Sequence, residues 1–372
     1  MLVFALDFLG ASAPPRFRIL ILDNLCEQFS EAIKQAIERR RPVRIRGSGS
    51  KDFYGGAPKG EVIDTTRYTG IVEYAPEELV MTARAGTPLA EIEAALAAQG
   101  QMLPFEPPHF GPRATLGGCV AAGLSGPRRA SSGAVRDFVL GVHMMDGKAD
   151  ALRFGGQVMK NVAGYDVSRL MAGSLGTLGL ILEVSLKVLP RSKAEATVQF
   201  ECDEAQALEK MNRWAGEPLP ISATCYHDQV LTLRLSGAEM AVQAAQTKLG
   251  GQVLAAGEEF WRGIREHSAN FFRSPMPLWR LSVPSTAALD LPGKQLIEWG
   301  GALRWVFTEV EPDRVRANVA QVQGQGTLFR SVTKPKSVFH PLPEPLMAVH
   351  QRMKRAFDPH GIFNLGRMYP DF

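Results

Sequence analysis

The sequence predicts an α+β protein built from two units, and three observations carry that prediction. Strand-length apolar runs alternate with amphipathic helical stretches along all 372 residues. Glycine-rich turns crowd the first half, each next to a strand-like run. Beyond Pro190-Arg191-Ser192-Lys193 the pattern becomes a regular exchange of strands and helices, the mark of an α+β, ferredoxin-like second unit.

The elements follow in order. Phe29, Ile33, Ala36 and Ile37 fall at helical spacing between Cys26 and Arg41, and Pro42 ends that helix. Short strands are expected at Val43–Arg46, Glu61–Asp64, Gly70–Tyr74 and Val80–Ala85, with a turn at Pro76–Leu79. Pro88–Gly100 reads as a helix with Thr87 as its N-cap and Gly100 at its end. Pro104–Gly126 reads as a buried irregular segment whose backbone N–H groups need partners. Strands return at Asp137–Met145, Ala151–Phe154 and Gly179–Leu189. The second unit shows a strand at Ala196–Phe200, a helix at Asp203–Trp214, strands at Ile221–Tyr226 and Val230–Leu235, and a helix at Gly237–Leu249. The tail from His340 is helical over Pro345–Phe357. No internal repeat is visible.

Composition narrows the function classes. The chain is 45% hydrophobic and 22% charged, an ordinary globular balance. The net charge of +4 is spread thinly, and no aromatics interleave with Arg39-Arg40-Arg41 or Arg128-Arg129, which argues against a nucleic-acid groove. The four cysteines are scattered and include no C-x-x-C pair, so nothing here points to an iron–sulfur cluster or a structural zinc site. So few isolated thiols fit a reducing, cytoplasmic compartment. Residues 1–25 read as a loosely attached extension: Ala11-Ser12-Ala13 resembles a signal-peptidase site, but no basic residue precedes the apolar run and Asp7 interrupts it.

Four glycine-rich segments carry the chemistry. Arg46-Gly47-Ser48-Gly49-Ser50-Lys51 follows a strand, and its glycines let backbone N–H groups converge on an anion. It matches neither the dinucleotide fingerprint nor the Walker loop, and taken alone it reads better as a simple Gly/Ser turn. Thr115-Leu116-Gly117-Gly118, continuing through Ala122, Gly123, Ser125, Gly126 and Arg128, holds almost no large side chains, so something presses against it; helix–helix packing would account for one or two of its glycines. Gly155–Asp166 contains Lys160, Asn161 and Gly164, and Gly173–Ile181 contains Gly176, Gly179 and Ile181. Either stretch by itself could be a turn between strands.

The order of these loops resembles the FAD-binding domain of the vanillyl-alcohol oxidase / p-cresol methylhydroxylase (PCMH) superfamily. The spelling of Arg46–Gly55, Gly86-Thr87-Pro88-Leu89, Thr115–Arg129, Gly155–Asp166 and Phe357–Asn364 is similar to the E subunits of bacterial glycolate oxidase. The resemblance spans residues 26–372. It implies a two-subdomain PCMH-type FAD-binding domain over 26–192, a cap over 193–340 and a C-terminal segment, 341–372, that returns to the first domain. It also implies FAD contacts from the residues named above together with Gly86, Gly133, Val135 and Asn364.

Two departures shape the expected function. Ser50 stands where some members of the superfamily link FAD to a histidine, so the FAD is expected to be non-covalent. The related catalytic D-2-hydroxy-acid dehydrogenases carry a His-x-Gly-Asp-Gly-x-x-His stretch that this chain lacks. Its second half holds His227, His267, His340, His350 and His360, none of them paired at ligand spacing, and a lone histidine is usually packed or solvated. No metal site is expected. The resemblance thus implies a flavin-bearing component of a complex that oxidises glycolate or D-lactate, beside a homologous catalytic flavoprotein subunit and an iron–sulfur subunit, peripheral at most to the inner face of the membrane. A self-sufficient oxidoreductase, with cap Arg and Tyr residues binding the substrate carboxylate, and a structural subunit with a vestigial flavin site are the alternatives.

Overall fold

The computed structural model describes residues 15–156, 167–335, 337–370 and 372. Helix α1 (Pro15–Arg39) starts earlier than Cys26 and buries Leu25, Phe29, Ile33 and Ala36 on one face, the periodicity visible in sequence. Strands β1 (Val43–Arg46) and β2 (Glu61–Asp64) pair in parallel. They pack with α1 in one apolar cluster that also takes in Met145, Leu180, Leu182 and the C-terminal Ile362 and Phe363.

A five-stranded antiparallel sheet follows, ordered β3-β4-β8-β6-β7, with β3 at Ile71–Ala75, β4 at Val80–Arg84, β6 at Val139–Met145, β7 at Ala151–Gly155 and β8 at Leu180–Lys187. A small two-stranded ribbon joins β5 (Gln101–Met102) to β9 (Leu189–Pro190). Helix α2 (Leu89–Ala98) lays Leu89, Ile92 and Leu96 on the sheet. Its N-cap is Pro88, not Thr87. The Thr87 hydroxyl faces the other way, accepting from Gly70 N at 2.9 Å and donating to Gly70 O at 3.2 Å. The segment expected to be irregular contains helix α3 (Leu116–Ala122), opened by Thr115 and closed by Gly123 in the left-handed conformation at φ 66°. Short helices α4 (Arg129–Ser132), α5 (Val135–Phe138) and α6 (Val167–Leu170) complete the unit.

The second unit is one eight-stranded antiparallel sheet. Its first half runs β10 (Ala194–Glu201), α7 (Glu204–Ala215), β11 (Ile221–His227), β12 (Val230–Gly237), α8 (Glu239–Leu249) and β13 (Gln252–Val253). The spatial order β13-β10-β12-β11 is that of a ferredoxin-like βαββαβ unit. Asp203 opens α7 with a capping box to Gln206. After α9 (Gly257–Arg265), the second half runs β14 (Leu278–Ser282), β15 (Lys294–Glu298), β16 (Leu303–Phe307), α10 (Pro312–Gln321) and β17 (Gln325–Arg330). Its order, β15-β16-β14-β17, repeats the same pattern without the first helix. The halves join through β11 and β15, where Cys225 pairs with Glu298 and Tyr226 with Ile297.

Alternation along these strands sends Ile297, Leu231, Trp279, Leu281 and Val306 toward α7 and α10. Ala223, Cys225, Leu278, Trp305 and Phe307 point the other way, into a cluster shared with Tyr54, Leu124 and Leu175 of the first unit. Trp299 seals the junction by donating from Nε1 to Gly126 O at 3.1 Å, with Arg129 over its ring.

The chain ends with α11 (Glu344–Phe357) and a return to the first unit. Val43 N donates to Ile362 O at 2.8 Å and Asn364 N to Val43 O at 3.0 Å, extending β1 with a parallel bridge. No helix among the described residues is long and apolar enough to cross a membrane.

Candidate functional site

The first glycine-rich loop leaves the end of β1, and the start of α3 meets it from the opposite side. A Cβ on Gly47 would lie 2.4 Å from Thr115 Oγ1, so only glycine allows this approach. Thr115 Oγ1 accepts from Gly118 N at 3.3 Å as the α3 cap. Loop and helix enclose a cleft of about 80 Å³. Of the residues expected from sequence, Arg46, Gly47, Ser48, Gly49, Ser50, Lys51, Thr115, Gly118, Ala122 and Asn364 line it. Arg44, Asp52 and Arg367 line it as well and were not expected.

The cleft is electropositive. Arg44, Arg46, Lys51 and Arg367 face it, and among the described residues Asp52 is the only carboxylate in its lining. Asp52 is bonded to Arg44 at 2.7 Å and Arg46 at 2.8 Å. Lys51 is 8% exposed, and among the described residues its ammonium hydrogen-bonds only the His109 carbonyl, at 3.2 Å. Burial lowers its pKa, against a smaller upward pull from Cys119 and Glu266. Arg367 donates to the carbonyls of Lys51, Asp52 and Gly56 at 2.8–3.1 Å and so holds the loop's shape. A Cβ on Gly118 would meet nothing nearer than its own cap, Thr115 Oγ1 at 3.2 Å, so a side chain there grows into the cleft. A buried ammonium, flanking guanidiniums and a glycine-floored helix start fit the diphosphate of FAD; the volume suits that group and not the whole dinucleotide.

The other expected residues build the frame. Gly117 packs on Ala85, 2.7 Å from a would-be Cβ, and Gly86 lies against the Thr65 carbonyl at 2.1 Å. Leu116, Val135 and Ile181 are core side chains. Gly176 lies against Asn364 and Gly179 against Met144. Gly123 closes α3, and Gly133, at φ 109°, sits beside Asp137. Asn364 spends its amide on the fold, accepting from Ile45 N at 2.7 Å and donating to Leu175 O at 2.6 Å. Arg128 does not face the cleft. It lies under a larger groove of about 830 Å³ between the units, bonded to Glu195 and, at 3.2 Å, to Glu106. Burial pushes the Glu106 carboxyl up, but Arg234 and Arg128 outweigh it and the net shift is downward. Lys160, Asn161 and Gly164 lie outside the described residues.

A second pocket lies where Ser125, Gly126 and Pro127 meet the cap. His267, Arg280, Glu298, Trp305 and Phe329 close its far side. His267 stacks on Phe272 at 3.8 Å, and its Nδ1 is buried with no hydrogen-bond partner. Burial, with Arg330 and Arg280 nearby, drives its pKa well below the usual 6.5 and keeps the ring neutral. Glu298 accepts from Trp305 Nε1 at 2.7 Å through one oxygen, while the other is buried and unpartnered. Burial raises its pKa to about 7. Sequence reasoning left His267 among the packed histidines, because nothing in its neighbours foretells Arg280, Glu298 and Arg330. Phe271 and Phe272 are core side chains. Cys119 is buried packing between α3 and the sheet, with its thiol raised to about 12 by burial.

Comparison with known proteins agrees with this geometry. The family model for an FAD binding domain matches residues 26–155. Glycolate oxidase subunit GlcE of Escherichia coli (strain K12) is 49% identical over 342 residues, covering 92% of this chain and 96% of that protein. Glycolate oxidase subunit GlcD of Bacillus subtilis (strain 168) is 31% identical over 174 residues, 46% of this chain and 37% of its own length. The solved structure of an alkyldihydroxyacetonephosphate synthase superposes with a TM-score of 0.63 at 15% identity, covering 91% of this chain and 75% of that one, which shows the fold. With close to half its residues identical along nearly the full length of both chains, the protein belongs to the GlcE family of glycolate oxidase components, FAD-dependent oxidoreductases with a PCMH-type FAD-binding domain and an α+β cap.

Proposed function

We propose that this chain is the FAD-binding subunit of a glycolate oxidase complex, serving electron transfer beside a homologous catalytic flavoprotein and an iron–sulfur subunit. The observation that carries the reading is the cationic cleft at Lys51 and Gly118, in a chain whose relative of 49% identity is glycolate oxidase subunit GlcE. FAD supplies the redox chemistry. The chain's residues hold and orient it: Lys51, Arg44 and Arg46 answer the diphosphate charge, and Gly118 clears its approach. Ser50, on the cleft wall, offers no ring nitrogen for a covalent link, so the FAD dissociates. Among the described residues no group of His, Cys, Asp and Glu could hold a metal ion. The onward electron path is assigned to partners, in the cytoplasm or at the inner face of the membrane.

The test is anaerobic rapid mixing of the purified flavoprotein with glycolate or D-lactate, followed at the flavin band. The expected result is no bleaching within catalytic times, then bleaching once the histidine-bearing partner is added. Full bleaching by the isolated chain would replace the electron-transfer role with self-sufficient catalysis.

A further inference from the structure

The cap reaches toward the cationic cleft through one carboxylate. Glu266 stands at the C-terminal end of α9, where its charge opposes the helix dipole, so it adds nothing to the helix that carries it. Its side chain crosses to the first unit instead. Glu266 Oε2 accepts from His109 N at 3.0 Å and from Phe110 N at 2.9 Å, across 157 and 156 positions of sequence. Its Oε1 accepts from Arg265 Nε at 2.8 Å. Two successive N–H groups aimed at one carboxylate make an anion-binding turn that the cap itself fills. Phe110 has φ 52°, a left-handed conformation that a bulky residue keeps only where its surroundings hold it.

The same turn seats Lys51. The His109 carbonyl accepts from Lys51 Nζ at 3.2 Å, and the ammonium lies over the Phe110 ring at 5.7 Å from its centroid. His109 is thus held by Glu266 through its N–H and holds Lys51 through its carbonyl. Its ring meets Glu93 of α2 at 3.2 Å, which anchors the turn from the other side. The charged and titratable groups around Lys51 are Cys119 from α3, Glu266 from α9, and Arg44, Arg46, Asp52 and Arg367 along the cleft. Burial raises the Cys119 thiol to about 12 and keeps it neutral. Asp52 is already paired with Arg44 and Arg46, so among these groups Glu266 is the carboxylate left to support the ammonium.

We propose that Glu266 of the cap is a positioning residue for FAD: it fixes the His109–Phe110 turn that seats Lys51, so that cap packing and cofactor affinity are coupled. The cap thereby acts on the cofactor cleft without lining it, since neither Glu266 nor His109 is among the residues of the cleft wall. The proposal deepens the functional reading above and rests on it for the role of Lys51 at the diphosphate.

The experiment titrates the flavin-stripped full chain with FAD, read by flavin fluorescence, from neutral to alkaline pH. Glu266→Gln should weaken FAD about tenfold, the loss expected for a hydrogen bond to a charged group, with Glu266→Asp recovering part of it. FAD affinity falls as Lys51 loses its proton. Removing the Glu266 charge removes an upward pull on Lys51, so the fall should begin at lower pH in Glu266→Gln than in wild type. A role in the fold alone would leave that profile in place. Lys51→Gln should weaken FAD and flatten the profile, and adding Glu266→Gln to it should cost little more, because one residue acts through the other. Unchanged affinity in Glu266→Gln, an unmoved pH profile or fully additive losses in the double variant would each overturn the proposal and leave the cleft reading intact. Wild-type affinity in Lys51→Gln would overturn both. Should Glu266→Gln not fold, Glu266→Asp, which withdraws the carboxylate by one methylene, carries the same comparison.

Discussion

At the scale of single residues, two glycines that look alike in sequence differ in what they permit. Gly49 has φ 78°, and a Cβ there would fall 2.1 Å from the Arg46 guanidinium. Gly118 is helical, and a Cβ there would meet only its own cap, Thr115 Oγ1, at 3.2 Å. Gly49→Val should therefore strain the backbone and lower stability by about 1–3 kcal/mol. Gly118→Val should lose FAD while the flavin-free protein melts close to wild type, since valine is no worse than glycine in a helix. Flavin-to-protein ratio and melts of the flavin-free forms separate the two, because bound FAD would itself raise the melting point. Glu298 gives a pH prediction. An unfolded glutamate titrates near 4.5 and this one near 7, so the folded chain holds an extra proton between those values. The stabilisation of the neutral form is complete below about 4.5 and is lost as pH rises through about 7. Glu298→Gln keeps the neutral shape, so its stability relative to wild type should climb across that window by up to about 3 kcal/mol. Urea titrations at pH 4.5 and 8 on the flavin-free protein read this directly, and a constant difference would remove the carboxyl from its buried role.

Among the elements, α11 and the segment after it decide whether β1 is held in place. Lys354, 7% exposed, donates to Asp358 Oδ2 at 2.8 Å and to the carbonyls of Thr177 and Phe363 at 2.7 and 2.9 Å. Asp358 in turn accepts from Ile362 N and Phe363 N. Lys354→Ala leaves a buried carboxylate without its cation, a loss of about 3–5 kcal/mol. Flavin content should fall with it, because Asn364 anchors Ile45 on the cleft wall. Unfolding midpoints should show a loss far larger than for Lys248→Ala, whose partner Glu217 is a surface contact. This level was the most legible in sequence. The helix at Phe29 and Ile33, the β1 strand and the helix from Asp203 were all readable from local pattern. Helix α3 was not, because Leu116-Gly117-Gly118-Cys119 has almost no propensity signal. It is held by Thr115 at one end, Gly123 at the other and close packing on Ala85 between.

For the whole molecule, the expected behaviour is a two-unit flavoprotein whose cofactor leaves on denaturation. Acid or detergent should release all FAD from the polypeptide, as Ser50 implies, and flavin fluorescence remaining on the denaturing-gel band would contradict it. The cap shows where sequence reading stopped. Its second half repeats the strand order of the first, yet the repeat is one of pairing and topology, with the first helix missing, so no spacing of residues betrays it. Arg367 and Arg44 were missed for a related reason. They reach the cleft from the far end of the chain and from the strand before the loop, and only the return of the C-terminal segment places Arg367 at Lys51.

The sequence by itself determined the glycine-rich loops, the α+β class and the family, because these depend on local conformation and on short runs of residues. Tertiary structure alone decided which of those residues meet. Gly47 touches Thr115 across 68 positions because the backbones must approach, whereas Arg128, from the same small-residue segment, is turned away by its pairing with Glu106. It also decided that His267, Arg280 and Glu298 share one pocket. Desolvation and charge act through space, so the lowered pKa of the imidazole and the raised pKa of the carboxyl come into being only where the cap packs on the first unit.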